Sequence, residues 1–153
     1  LGYTLSWSNR KFANINSGEI YPFKYDRRHD MSIVLTYDVS DMISFSANWV
    51  FGSGQAISIP EYQYLTSTSW GSTSPVGQAE YKNSYRMPNY HRLDLGMSFK
   101  KEKKWWVRTW NIGVYNAYNR LNPYFVYIDN YSGQANQVSL FPMIPSISYS
   151  FKF

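Results

Sequence analysis

The chain has 153 residues, with 15 Lys+Arg against 10 Asp+Glu for a formal net charge of +5, and no cysteine. Aromatic residues make up 20% and charged residues 16%, where globular proteins average about 25% charged; disorder needs the opposite balance. The lack of cysteine excludes a disulfide scaffold, a thiolate zinc site and a cysteine nucleophile, and no stretch approaches the ~18 apolar residues of a transmembrane helix.

Period-two alternation, the signature of a strand with two unlike faces, dominates from the start. Tyr3, Leu5 and Trp7 alternate with Thr4, Ser6 and Ser8. The chain opens at Leu1 inside this segment, with no signal peptide visible, which suggests a piece of a longer protein. A long connection over 14–28 leads to a second strand, where Met31, Ile33, Leu35, Tyr37 and Val39 share one face and only Val34 breaks the other. A tight turn at 40–41 follows. In the third strand, Ile43, Phe45, Ala47, Trp49 and Phe51 oppose Ser44, Ser46 and Asn48, with Val50 the exception. After a long loop over 54–90, Leu93, Leu95, Met97 and Phe99 alternate with Arg92, Asp94, Gly96, Ser98 and Lys100. A charged turn of Lys101, Glu102, Lys103 and Lys104 leads to Trp110, Ile112 and Val114 on the fifth strand. The last long loop, 119–144, contains two short strand-like runs, 124–128 and 137–141, that read as a small hairpin. Ile147, Tyr149, Phe151 and Phe153 close the chain against Ser148, Ser150 and Lys152.

The reading is all-β: about six long antiparallel strands, each near the ~9–11 residues that cross a bilayer as a tilted strand, with short turns at one end and long loops at the other. That loop asymmetry is expected of outer-membrane barrels, with short periplasmic turns and long extracellular loops. A half-buried sheet in a soluble sandwich would alternate in the same way. Three features favour lipid. The polar face is dominated by Ser, Thr, Asn, Asp and Gly; Trp7, Trp49, Trp105 and Trp106 gather near strand ends, where amphipathic rings suit a membrane interface; and the last strand ends in an aromatic. Leu35, Phe45, Leu95, Met97, Ile112, Ile147 and Tyr149 are then the lipid-facing set. Arg108 shares their parity and is expected at the interface, its guanidinium snorkelling outward. Six strands in lipid leave two open edges whose unpaired backbone groups each cost several kcal/mol, so further strands are expected to precede Leu1 or to come from other copies.

His29 and His91 each open a strand at the long-loop end beside acids, Asp26 or Asp30 and Asp94. Two imidazoles without a third ligand are a weak basis for a metal site, and rim hydrogen bonding explains them more simply; no metal or other cofactor is expected. Asp30, Asp38, Arg92, Asp94 and Lys152 on the polar face are read as mutual pairing within the wall. The basic turn at 100–104 is read as a solvated turn, and no nucleic-acid fold surrounds it. The loop aromatics Tyr62, Tyr64, Trp70, Tyr81, Tyr85, Tyr124 and Tyr127 stand among Ser, Thr, Gly and Pro, a composition that suits recognition of sugar rings or planar chelates. No catalytic motif is present, and an enzyme is not expected.

Four stretches carry a resemblance. Tyr21-Pro22-Phe23-Lys24-Tyr25-Asp26-Arg27-Arg28-His29-Asp30 and Tyr85-Arg86-Met87-Pro88-Asn89-Tyr90-His91-Arg92-Leu93-Asp94-Leu95 resemble the approaches to strands in TonB-dependent outer-membrane receptors. Trp110-Asn111-Ile112-Gly113-Val114-Tyr115-Asn116-Ala117-Tyr118-Asn119-Arg120, followed by Asn122-Pro123, resembles their penultimate strand. The ending Ser148-Tyr149-Ser150-Phe151-Lys152-Phe153 is similar to their closing strand, whose last aromatics, here Phe151 and Phe153, are read by the barrel-assembly machinery. The resemblance implies that residues 1–153 are the C-terminal part of a 22-stranded plugged barrel, with the plug domain and earlier strands absent. It implies uptake of an iron chelate, cobalamin or a glycan across the bacterial outer membrane, energised by the inner-membrane TonB complex through the missing N-terminal part. The implied partners are outer-membrane lipid, the assembly machinery and a small-molecule or glycan ligand. The rival readings are a soluble β-sandwich carbohydrate-binding module and a passive porin or adhesin barrel.

Overall fold

The computed structural model describes residues 1–60, 62–67, 73–129 and 132–153. In chain order the strands are β1 (Gly2–Leu5), β2 (Asn9–Arg10), β3 (Tyr21–Pro22), β4 (His29–Ser40), β5 (Ile43–Gly52), β6 (Ala56–Ile57) and β7 (Tyr62–Ser67). They continue as β8 (Thr73–Gln78), β9 (Tyr85–Arg86), β10 (Tyr90–Lys103), β11 (Trp106–Tyr115), β12 (Pro123–Ile128), β13 (Ala135–Ser139) and β14 (Ile144–Lys152). A single 3-10 turn at Asn16–Gly18 is the helical element among the described residues, and no helix there is long and apolar enough to cross a membrane.

One antiparallel sheet organises the rest, in the order β1-β4-β5-β10-β11-β14. Its register lines the strands up so that whole rows share a face. Leu35, Ala47, Leu95, Val114 and Pro145 form one row across five strands, and Tyr37, Phe45, Met97, Ile112 and Ile147 form the next. Ile43, Phe99, Trp110 and Tyr149 form a third. The interleaved rows are Thr36, Ser46, Gly96, Gly113 and Ser146, then Asp38, Ser44, Ser98, Asn111 and Ser148. Because side chains alternate across a pleated strand, the first set makes a continuous apolar face and the second a face of small polar groups. A one-residue slip on any strand would exchange them, so the hydrophobic pattern and the register specify each other.

Nothing among the described residues covers the apolar face. The buried apolar residues are Tyr21, Ala56 and Met87, all outside this sheet, while Leu35 is 63% exposed and Ile147 67%. A sheet-on-sheet sandwich would bury one face in a dry layer, and the described residues form no such layer. Nor does the sheet close on itself: β1 and β14 lie at its two edges and are not paired with each other.

The strand boundaries correct several expectations. The opening segment is a strand only through Leu5, four residues instead of a full span, so Trp7 lies outside the sheet. Ser6 N–H still bonds the Arg28 carbonyl at 3.0 Å in the β1–β4 register; beyond it Ser8 N–H bonds the Asp26 carboxylate and the Ser8 carbonyl accepts Phe23 N–H, which takes the chain into the loops. The first short turn falls at 41–42, after a bulge between Asp38 and Ser40. The basic segment is largely strand: β10 continues through Lys103, leaving a two-residue connection, Lys104 and Trp105. The hairpin within 119–144 is present as β12 and β13, its second strand ending at Ser139 instead of 141. The loop between β5 and β10 also contains a hairpin, β7–β8, which the composition of that loop hid.

At the long-loop end the chain passes close to itself at Gly54, where an added Cβ would lie 1.5 Å from the Met87 carbonyl oxygen. The contact lets Met87 N–H bond the Gln55 carbonyl at 2.9 Å beside the β6–β9 pair. Gly54→Ala should therefore force β6 and β9 apart at a cost of about 1–3 kcal/mol. Hydrogen exchange should show faster exchange at the Met87 amide with β5 and β10 unchanged; unaltered protection at Met87 would contradict this.

Candidate functional site: the loop layer at one end of the sheet

Among the described residues four polar side chains of the loops are buried, Asp26, Asn83, Asn116 and Asn122. Each is satisfied, as burial of a polar group requires. Asp26, 1% exposed, joins three segments. It accepts Ser8 N–H, bonds the Arg86 guanidinium, and lies 3.8 Å from Arg28. Arg86 Nη1 also donates to the Asp26 carbonyl at 2.7 Å and to the Gly54 carbonyl at 3.3 Å, tying the loop after β5 to the loop before β4. Burial alone would raise the Asp26 carboxyl's pKa, but the hydrogen bonds and the charges of Arg86 and Arg28 outweigh it and hold the group below its ordinary value. Asn83 makes a parallel link: its Nδ2 donates to the Pro22 carbonyl at 2.8 Å, and its N–H donates to Ser58 Oγ at 2.9 Å.

The third long loop is shaped by asparagines. Asn116 and Asn119 hold the positive φ angles, 53° each, that asparagine tolerates better than most residues. Asn116 N–H bonds Asp94 Oδ1, and its side chain bonds the Arg120 N–H and the carbonyls of Arg120 and Phe141. Asn122 pairs with the backbone of His91 in both directions, accepting its N–H at 3.0 Å and donating to its carbonyl at 2.9 Å. The side-chain amide thus imitates one rung of a β-ladder where β11 has ended.

Among these loops lies a cavity of about 690 Å³. Lys24, Arg27 and Lys82 line it, with Tyr25, Tyr90, Tyr124 and Phe125, and no carboxylate is among its lining residues. Asp30 lies 3.9 Å from Arg27. Of the aromatic residues singled out from the loops, Tyr124 reaches this cavity. Tyr64, Tyr81, Tyr85 and Tyr127 are about half exposed and stand elsewhere on the loop surface. Tyr62 falls on β7 opposite Gln78, and Trp70 lies outside the described residues. Tyr25 and Tyr90 were not singled out as ligand residues; Tyr90 pairs with Gly52, whose missing side chain leaves room for the Arg27 guanidinium.

The histidines occupy separate strands with β5 between them. His29 Nδ1 lies 2.8 Å from the Tyr3 hydroxyl, and His91 Nδ1 lies 2.7 Å from the Tyr118 hydroxyl. No group of three or more potential metal ligands occurs among the described residues. On the polar face, Arg92 bonds Asp94 at 2.8–3.0 Å and the hydroxyls of Tyr90 and Tyr115, the wall pairing expected for that pair. Asp38 and Lys152 take no part in it.

Rings border the apolar rows at both ends. Trp49 stacks on Phe51 at 6.0 Å between centroids at the loop end. At the turn end Trp106 stacks on Phe151 at 5.9 Å, and Phe151 meets Phe153 at 6.2 Å. Trp105 is 79% exposed. Arg108 falls just beyond the last wholly apolar row, its guanidinium 5.5 Å from the Trp106 ring centre. No protein-family model, curated protein or solved structure matches this chain.

The Asp26 network predicts an acid transition. Because the folded-state pKa is depressed, its contribution is complete above the ordinary carboxylate value of 3.8 and is lost as pH falls through the lower, folded value. Limited proteolysis of the segments around Arg28 and Arg86 should accelerate only below about pH 3.8. Asp26→Ala should accelerate it at neutral pH, with a cost of about 1–3 kcal/mol. Equal cleavage of both proteins at neutral pH would contradict the assignment.

Proposed function

We propose that this chain is the C-terminal part of an outer-membrane β-barrel receptor of the TonB-dependent kind, whose loop layer forms part of an outer ligand-binding mouth. The observation that carries the reading is the uncovered apolar face. On β10 it runs between His91 and Lys101, ten residue steps. At about 3.4 Å per residue and a tilt of about 45°, that spans about 24 Å of membrane, the height of the apolar band on such barrels. Aromatic residues border the band at both ends, and the opposite face is hydroxyl- and amide-rich, as a wet or plugged lumen requires. The unpaired edges at β1 and β14 fit a place within a larger sheet, since each lone backbone group in hydrocarbon costs several kcal/mol.

The loop layer favours a receptor over a passive pore. A pore needs loops that stay out of the way, whereas these loops are cross-linked by buried polar groups around a cavity with rings and cations. Such a cavity suits a ligand with acidic groups and a flat or ring-shaped body. The ligand classes implied by the resemblance are an iron chelate, cobalamin or a glycan, and uptake would draw on the inner-membrane TonB complex through residues outside this chain.

Two adjacent positions test the membrane reading. Met97→Arg places a charge in the middle of the apolar rows and should destabilise the bilayer-inserted protein by about 2–4 kcal/mol. Ser98→Arg, one residue along, should cost less than about 1 kcal/mol. Urea titrations in liposomes measure both; equal costs, or a larger cost at Ser98, would refute the assignment of faces.

A further inference from the structure

Beyond Phe99 and Trp110, on the face that carries the apolar rows, the next row holds Lys101, Arg108 and Phe151 side by side. The row after it pairs Lys103 with Trp106. Lys101 and Arg108 are direct cross-strand partners and both are exposed. Like charges in that relation destabilise a sheet. Glu102, the acid of this hairpin, projects to the other face and pairs with Lys100 at 3.0 Å. Among the described residues Lys101, Lys103, Lys104 and Arg108 join no ion pair. Two of the cations lie against indole rings: Arg108 is 5.5 Å from the Trp106 centre and Lys104 is 5.6 Å from the Trp105 centre. The corresponding row at the other end of the band, Tyr3, Met31, Phe51 and His91, carries no lysine or arginine.

We propose that this cluster binds the phosphate groups of anionic phospholipid headgroups in the leaflet at the short-turn end. The inference rests on the membrane reading given above. Lys101 lies two residues past Phe99, about 7 Å further along the strand, which is where acyl chains give way to headgroups. A phosphate set between Lys101 and Arg108 turns an adjacent repulsion into two attractions, and the neighbouring indoles occupy the same interfacial level. The row at the other end offers no such counter-charge.

The test uses the full-length protein in nanodiscs of phosphatidylcholine alone or mixed with phosphatidylglycerol, with retained lipids identified by native mass spectrometry. Phosphatidylglycerol should be enriched over phosphatidylcholine, the enrichment should fall with salt, and inorganic phosphate should not displace it. Lys101→Gln with Arg108→Gln should reduce the enrichment about fivefold for each cation removed. Lys101→Glu supplies the missing cross-strand partner for Arg108, so it should insert at least as well as the parent yet lose the enrichment. Enrichment that is absent, or that persists in both variants, overturns the headgroup site while insertion in phosphatidylcholine leaves the membrane reading standing. Failure to insert into either bilayer overturns both.

Discussion

A sheet face built from Leu35, Phe45, Leu95, Ile112 and Ile147 must be kept from water, and none of the described residues covers it. Each such side chain gains roughly 1.5–3 kcal/mol when it leaves water, so five adjoining strands that present them together leave a large unmet gain on one face, which the proposed membrane setting would supply. The register converts alternation within single strands into unbroken rows across the sheet. The same register gathers Ser44, Ser46, Ser98, Ser146 and Ser148 on the reverse, where hydroxyls can meet water or a polar partner. Among the described residues the sheet's apolar side chains therefore lie on an open face instead of in a core.

Cohesion elsewhere comes from polar groups placed with care. The loops meet around Asp26, Asn83, Asn116 and Asn122, each bonded to backbone or charge from another segment. Tyr21, Ala56 and Met87 are the buried hydrophobic residues among those described. Loops held this way keep their shape over a cavity without a hydrophobic centre, and that permits cations and rings to face the open space. Asn122 illustrates the economy, since its amide completes backbone pairing for His91 and so ends the sheet without leaving a lone donor.

The period-two pattern made the sheet readable in advance, because one unlike face is visible in any strand that has it. Val34 and Val50, the exceptions, sit on the polar face opposite Asn48 and Ser32; Val34 is 64% exposed there, and nothing in the structure explains it. Strand ends were less readable. Trp7 keeps the alternation, but the ladder stops at Ser6, and the bond from Ser8 N–H to the Asp26 carboxylate draws the chain into the loops. The lysine-rich segment of β10 looked like a turn because charge usually marks solvent, although strand geometry tolerates lysine at an edge of the apolar band. The polar hubs were invisible as such. Asp26 and Asn116 have no local pattern, and only the approach of loops remote in sequence reveals what they join. The cavity-lining Tyr25 and Tyr90 were hidden for the same reason.

Because the chain has no cysteine, single cysteines introduced along β10 can carry a nitroxide label at one defined place each. Labels at positions 93 to 99 of the membrane-reconstituted protein should show an oxygen accessibility that alternates with period two. It should be high at 93, 95, 97 and 99 and low at 94, 96 and 98, with a water-soluble nickel complex showing the reverse or no signal. Labels at 93, 95, 97 and 99 that are shielded from both oxygen and nickel would mean a dry protein interior, and would contradict the account.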